Sequence, residues 1–383
     1  MLASISPFSR SFILVLLSSA LITACNSSDT SSSSSNLDTG AVALLITDAP
    51  TSAYDEINVV TEQVTLIGEG RGKEAHLMTK TVTFNLLDLR NTFRRLSKSK
   101  APVGTYNKVR FKIKDVQLIK RDQDDKVTFD KHAHLKNKFI DLIANKQFSV
   151  SRHSKLVVKL DLDLDKSLVT DPTTEEPVLD PETGDPVFDP DATVEVDEVP
   201  TNTEAPPQEV TPVLMNELGD VRNLQADSFD LCNTNTDGSV DCIQVNVSPE
   251  TIVMDDELTP LTTGISDLNE TLQWRVFGHL DVTTDTINAL QVIEHSTQHR
   301  SYSGTLSGNV GDVVSDQIDL DVAGTIYPVK SVSQSGIYDS EGNVLDASAL
   351  GDGVNVEVIG KLIGFMGSGT ITPGVIIIPI PVP

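Results

Sequence analysis

One stretch decides the fold class of this 383-residue chain: LVVKLDLDLD, residues 156–165. Apolar and charged side chains alternate along it, and successive side chains of a β-strand point to opposite faces of a sheet. The alternation places the leucines in a core, with Lys159, Asp161, Asp163 and Asp165 on the outer face. A strand that is buried on one face and wet on the other is typical of an antiparallel sheet.

Other stretches of the N-terminal half repeat this period of two. They are AVALLI (41–46), INVV (57–60), QVTLI (63–67) and KVRFKIK (108–114). No long pattern with a period of 3.6 residues competes with them. The sequence therefore predicts an all-β protein whose N-terminal domain, residues 40–216, is an antiparallel β-sandwich.

Charge divides the chain into unequal parts. Residues 38–170 carry 23 basic and 17 acidic side chains, whereas residues 211–383 carry 5 basic and 24 acidic ones. Between them, residues 171–210 hold 13 acidic side chains and no basic one. An acidic C-terminal half repels phosphates, so we expect no nucleic-acid partner for the whole protein.

The N-terminus is predicted to be a targeting signal. The apolar core over residues 11–22 follows Arg10 and is too short for a stable transmembrane helix. Ala24 followed by Cys25 resembles the signal of a bacterial lipoprotein, in which residues 1–24 are removed and Cys25 is acylated. The alternative is a free cysteine at an ordinary secretory cleavage site. Asn26 stands where lipoproteins of the inner membrane often have Asp, so the resemblance implies the outer membrane, facing either side.

A serine-rich tether, residues 25–39, follows the signal. Its composition cannot bury enough apolar surface to fold, and it predicts attachment to the membrane by a lipid anchor rather than by a span.

The two remaining cysteines, Cys232 and Cys242, flank a polar turn between apolar stretches. In an oxidising compartment this pattern predicts a β-hairpin closed by a disulfide. The turn also has the oxygen-ligand spacing of a calcium loop, with Gly238 at the sixth place, although two Asn replace Asp and no Glu stands at the twelfth place. We keep two interpretations: a plain hairpin turn without a cofactor, and a weak Ca²⁺ site formed by Asn233, Asn235, Asp237 and Asp241.

The C-terminal part is internally duplicated. GDVRNL (219–224) and WRVFG (274–278) in residues 217–299 correspond to GTLSG (304–308) and VEVIG (356–360) in residues 300–383. The duplication predicts two small tandem β-barrel or meander domains, the first with the disulfide hairpin. They are similar to the domain of unknown function 5666, which implies an exported protein.

The N-terminal domain resembles the domain of unknown function 4382. The motifs that carry the resemblance are LITDAP (45–50), INV (57–59), FNLLDL (84–89), PVGTYNKVR (102–110) and LDLDLDKSL (160–168). The family's closing strand is similar to residues 210–214, so we expect residues 171–208, acidic and rich in proline, to be a disordered insertion before it. The resemblance implies a secreted or lipid-anchored β-sandwich and no catalysis.

Two groups of basic residues are candidates for binding. The stripe Lys108, Arg110, Lys112 and Lys114 is expected to pair with Asp161, Asp163 and Asp165 on a neighbouring strand. The second group has no acid among its members, which makes it the better candidate for an anionic ligand: Arg90, Arg94, Arg95, Lys98 and Lys100.

Local motifs of hydrolases and cytochromes are missing from the sequence. His132 and His134 would lie on one face of a strand and could form a metal site with His153, but nothing in the sequence places His153 beside them, so we expect solvent-exposed histidines. We therefore expect a lipid-anchored envelope protein that acts as a non-catalytic binding or scaffolding module for an envelope protein or an anionic polysaccharide. One alternative is a carbohydrate-binding or adhesive surface lipoprotein, for which a single tryptophan, Trp274, offers little stacking surface. The other is an accessory hydrolase.

Overall fold

The structure is a computed structural model that describes residues 38–48, 54–68, 73–122, 126–152, 154–171, 177–200, 212–235, 238–307, 316–365 and 367–380. The targeting signal, Cys25 and most of the tether lie outside the described residues. Among the described residues, no helix has the length and apolar character needed to cross a membrane.

The N-terminal domain consists of two facing sheets and a further sheet of two short parallel strands. Its strands are β1 (Thr39–Asp48), β2 (Glu56–Gly68), β3 (Glu74–Met78), β4 (Val82–Asn85), β5 (Arg94–Pro102), β6 (Gly104–Arg121), β7 (Val127–His132), β8 (His134–Leu135), β9 (Phe139–Val150), β10 (Ser154–Leu162), β11 (Val187–Phe188) and β12 (Ala192–Pro200). A 3-10 helix, Leu86–Leu89, follows β4, and the short helix α1 (Leu164–Ser167) follows β10.

One sheet has the order β12-β10-β1-β5, and the other is built on the long strands β2 and β6. Strands β3 and β4 pair with β2, while β7 and β9 pair with β6. Both sheets contribute side chains to one core, in which Leu44, Val59, Phe111 and Leu160 are buried. The predicted β-rich sandwich is confirmed.

The sheet around β1 and β10 differs from expectation in two ways. β1 and β10 pair in parallel, and both strands are buried on their two faces. Leu45 and Val157, on the outer face, pack into the core of the next domain. As far as Lys159 the outer face of β10 is therefore covered rather than wet, and Lys159 is buried beside Asp197 at 2.8 Å, whereas Asp161 is exposed as predicted.

The acidic segment is ordered where the structure describes it, so the prediction of a disordered insertion is wrong for residues 177–200. β12 pairs with β10 over nine positions, from Ala192 to Pro200. In the sequence TVEVDEV, residues 193–199, Glu195 and Asp197 pair with Lys159, and Glu198 accepts a hydrogen bond from Ser154. The sandwich thus ends with β12, and Leu214, expected in its closing strand, begins the next domain.

The two C-terminal domains are small barrels. The first contains β13 (Leu214–Arg222), β14 (Ser228–Thr234), β15 (Val240–Asn246), β16 (Ile252–Met254), β17 (Gln273–Asp281) and β18 (Thr286–Glu294). The second contains β19 (His299–Ser307), β20 (Gln317–Val322), β21 (Thr325–Lys330), β22 (Gly336–Asp339), β23 (Asn355–Ile363) and β24 (Thr370–Ile378). Short 3-10 helices lie at Gly264–Asp267, Val332–Gln334 and Ala347–Ala349.

Their connectivity confirms the duplication. The first barrel has the order β15-β14-β13-β17-β18 and closes through a parallel β15–β18 pair; the second has the order β21-β20-β19-β23-β24 and closes through a parallel β21–β24 pair. A five-stranded barrel closed in this way has the connectivity of the OB-fold. The motifs found in the sequence are equivalent in space, because Gly219 pairs with Trp274 and Gly304 pairs with Val356.

These two glycines stand where strands cross closely. A Cβ on Gly219 would lie 2.7 Å from the backbone oxygen of Cys232, and one on Gly304 would lie 2.3 Å from that of Asp321. The disulfide is confirmed, and it joins Cys232 of β14 to its cross-strand neighbour Cys242 of β15.

The barrels contact each other through an apolar cluster that includes Phe277, Ile293, Tyr338 and Ile359. Their contact with the sandwich also includes many charged groups, which form the candidate site.

Candidate functional site

The segment between β4 and β5 carries the basic residues to the barrels. Asn85 caps the 3-10 helix by accepting a hydrogen bond from the backbone N–H of Leu87, and the buried side chains of Leu86 and Leu89 fix the segment to the sandwich. Arg90 follows directly, and Asn91 adopts a left-handed φ of 54° before β5 begins at Arg94.

Asp285 is the centre of the first charged contact. It lies in the turn between β17 and β18, its side chain is 4% exposed, and it contacts Arg95 at 3.0 Å, Lys98 at 2.7 Å and Lys155 at 3.1 Å. Burial alone would raise the pKa of Asp285, but these three cations together lower it. Lys155 also donates to the backbone oxygen of Val282 at 2.6 Å, and burial lowers its pKa.

Glu217 of β13 forms the second contact. Its carboxylate lies 3.9 Å from Arg94 and accepts a hydrogen bond from the backbone N–H of Arg95. Burial raises the pKa of Glu217, and the neighbouring cations oppose that shift. The side chain of Arg95 also donates to the backbone oxygen of Cys242 at 3.0 Å, so the disulfide hairpin is part of the interface.

Equivalent positions of the two barrels contact the same segment of the sandwich. Arg275 follows Trp274 in β17, and Glu357 follows Val356 in β23. Arg275 lies 3.0 Å from Asp88, whereas Glu357 lies 3.7 Å from Arg90. Burial raises the pKa of Glu357. Arg90 and the hydrogen bonds from Ser301 and Ser303 act in the opposite direction and lower it.

This arrangement corrects the assignment of the basic cluster as an open anion-binding surface. Four of the five residues of the cluster form ion pairs with carboxylates of the barrels: Arg90, Arg94, Arg95 and Lys98. The fifth, Lys100, is exposed and has no such pair among the described residues. The acidic half belongs to the same chain and therefore occupies the cluster at a high effective concentration.

The lysine stripe is neutralised by other partners than expected. Strand β6 lies between β2 and β9, not beside β10. Lys108 and Arg110 accordingly pair with Asp141 at 3.1 and 2.7 Å, and Lys112 pairs with Glu62 at 3.1 Å. The hydrogen bond from Arg110 is the largest cause that lowers the pKa of Asp141 to about 2.

The calcium interpretation involves one residue outside the described part, Asp237. Of its other members, Asn235 donates to Ser239 and Asp241 lies 3.6 Å from Arg95. Among the described residues, no group of three or more His, Cys, Asp or Glu side chains is placed to hold a metal ion. His132 and His134 pair with Asp115 and Asp180, and His153 lies outside the described residues.

A cleft of about 730 Å³ lies between the sandwich and the second barrel. Aromatic, hydroxyl, amide and charged side chains line it. Tyr54 and Arg90 come from the sandwich, and both are at least nine-tenths buried. Within the described residues, the Tyr54 hydroxyl and the Arg90 Nε atom have no hydrogen-bond partner. The remaining lining residues include Asp55, Leu87, Asn91, Arg300, Ser301, Tyr302, Ser303, Gly304, Thr305, Val322, Ala323, Asn355 and Val356.

The carboxylates Glu217, Asp285 and Glu357 are not among the site residues that the sequence predicts. A signal for two of them was present: Glu357 stands in the otherwise apolar stretch VEVIG, and Glu217 stands in LMNEL, where Asn216 is the only other polar residue. An acid at such a position is buried when a cation from elsewhere pairs with it.

Comparison with known families matches residues 39–181 to the family described as Domain of unknown function (DUF4382). The resemblance expected for the N-terminal domain is confirmed. Comparison with curated proteins finds no match for the chain.

Proposed function

We propose that this protein is a lipid-anchored, non-catalytic scaffold of the bacterial cell envelope that presents the cleft of its second barrel to a partner. The observation that carries the proposal is the paired interface of Asp285, Glu217 and Glu357 with the basic segment. This interface joins the three domains and pairs four of the five residues of the basic cluster, so we take the cleft of about 730 Å³, rather than that cluster, as the surface for a ligand.

The buried titratable groups fit a structural role. Glu217 and Glu357 have raised pKa values and each lies against an arginine. Raised carboxyl pKa values occur at catalytic sites, but here each carboxylate joins two domains. A buried ion pair of this kind orients domains more than it stabilises them.

The address rests on the sequence. The signal that ends at Cys25 and the serine-rich tether support an outer-membrane anchor, with the described domains held away from the lipid. The resemblance of the barrels to the domain of unknown function 5666 and the match of residues 39–181 to DUF4382 both support an exported protein.

Two experiments test the proposal. Labelled palmitate should enter the wild type and a Ser28→Ala control, and it should not enter Cys25→Ala, which should leave the outer-membrane fraction. Photocrosslinkers placed in living cells at cleft residue Asn91 should capture a defined envelope component, whereas a crosslinker at the exposed Val344 should not. Equal capture at both positions, or acylation of Cys25→Ala, would contradict the proposal.

A further inference from the structure

The free edge of β19 lies in the cleft. β19 pairs with β20 only from Thr305 to Ser307. Its other edge pairs with β23, so before Thr305 no described strand lies along the second edge of β19. Six consecutive residues, 300–305, line the cleft. Since alternate side chains of a strand point in opposite directions, such a run lines a cleft along the strand's edge rather than along one face.

In the first barrel, the equivalent edge, that of β13, is occupied by a segment of the sandwich. Phe93 of the sandwich forms a parallel bridge with Met215 of β13. Its backbone N–H donates to the oxygen of Leu214 at 2.8 Å, and its own oxygen accepts from the N–H of Asn216 at 2.7 Å. An extended segment of polypeptide thus adds to the edge of β13.

Because the two barrels are duplicates, β19 of the second barrel is equivalent to β13 of the first. β13 begins to pair with β14 at Asp220, and β19 begins to pair with β20 at Thr305. Counting back from these residues, Leu214, Met215 and Asn216 correspond to His299, Arg300 and Ser301. The edge that Phe93 occupies in one barrel therefore faces the cleft in the other.

We infer that the cleft binds an extended peptide segment of a partner polypeptide, which adds to the edge of β19 in parallel and places an apolar side chain on Leu87, Val322 and Val356. This inference rests on the proposed scaffold function and names the ligand class of its cleft. The stretch of this edge from His299 to Gly304 spans about 20 Å. The Tyr54 hydroxyl and Arg90 Nε supply polar groups for the peptide, because a buried polar group is unfavourable until it finds a hydrogen-bond partner.

The test uses the mature chain with Cys25→Ala and a phage library of random heptapeptides. Ala323 is an exposed cleft residue in a left-handed turn with a φ of 50°, so Ala323→Arg fills the mouth of the cleft without adding a new Cβ. The matched control is Val344→Arg, an exposed position of the same barrel that is 70% exposed and does not line the cleft. Circular dichroism checks that both variants fold.

Selected peptides should bind Ala323→Arg at least about tenfold more weakly than the wild type and Val344→Arg equally well. N-methylation of the peptide backbone should weaken binding about tenfold at every second residue only, because strand pairing uses alternate N–H groups. This second measurement does not depend on any protein variant.

Three results would overturn the inference. The first is that no peptide is enriched on the wild type relative to Ala323→Arg. The others are equal tolerance of N-methylation at all peptide positions, and binding of neutral or uronate-containing oligosaccharides in place of peptides. If the crosslinks at Asn91 to an envelope component persist alongside any of these results, the scaffold proposal stands and only the inference that a peptide binds the edge of β19 is refuted.

Discussion

Replacing Asp285 by Asn tests the charged interface at its centre. Asn keeps the size of the side chain and tolerates the left-handed φ of 63° that this turn residue adopts. It removes the charge that Arg95, Lys98 and Lys155 share. Of these cations, Arg95 and Lys155 have side chains no more than 6% exposed, so the substitution leaves them without their shared carboxylate.

The expected loss follows from the burial of these groups. Removing one partner of a buried ion pair costs about 3–5 kcal/mol. The value should lie near the lower end, about 3 kcal/mol, because Arg95 keeps the backbone oxygen of Cys242 and Lys155 keeps that of Val282. Asp241→Asn is the matched control: this carboxylate is 39% exposed and 3.6 Å from Arg95, so its loss should cost no more than about 0.5 kcal/mol.

Urea unfolding measures the effect with two signals. Trp274, the sole tryptophan, is buried in the first barrel and reports its unfolding by fluorescence, while far-UV circular dichroism reports all strands. In the wild type the two transitions should coincide. In Asp285→Asn the fluorescence transition should move to lower urea and separate from the dichroism transition, because the barrel loses its contact with the sandwich.

Acid titration gives a second check. The pKa of Asp285 is lowered in the folded protein, so its contribution to stability is present above the pKa of the unfolded chain, about 3.9, and is lost as the pH falls below it. Asp285→Asn should lack this acid-dependent part. A variant that unfolds within about 0.5 kcal/mol of the wild type, with coincident transitions, would refute the reasoning.

Other substitutions test the barrels and the outer strands. Gly304→Ala should destabilise the protein by about 2 kcal/mol or more, because the new Cβ would lie 2.3 Å from a backbone oxygen, whereas Gly104→Ala, with open space at its Cβ, should be tolerated in the same thermal unfolding experiment. Reduction of the Cys232–Cys242 disulfide, whose cysteines are 10 residues apart, should lower the free energy of unfolding by about 2–3 kcal/mol; an unchanged urea midpoint under reducing conditions would contradict this. Asp141→Asn should remove a stabilisation that the wild type loses between about pH 4 and pH 2, because the pKa of Asp141 is lowered to about 2. This stabilisation should stay below about 1 kcal/mol, since the carboxylate is 35% exposed. If the free energy of unfolding of both proteins changed in parallel with pH, the prediction would be wrong.

The sequence was sufficient for strands, barrels and the disulfide because each depends on local patterning. WRVFG and VEVIG predicted the duplication, and their residues occupy equivalent positions in β17 and β23. The acidic segment was misjudged because its prolines and charges are typical of disorder, while the lysine that holds β12, Lys159, is distant in sequence. The interface was missed for the same reason. The charge asymmetry of the two halves is visible in the sequence, but the pairing of Arg95 with Asp285 joins residues far apart in the chain and needs the fold.

The central claim is that the acidic barrels dock on the basic segment of the sandwich and form one body with it. A protease site inserted between residues 201 and 211 tests this directly, with the folded full chain cleaved and passed over a gel-filtration column at physiological salt. We expect the two pieces to elute together, and to separate when Asp285→Asn and Glu217→Gln are combined. Separation of the cleaved wild type at physiological salt would contradict the account.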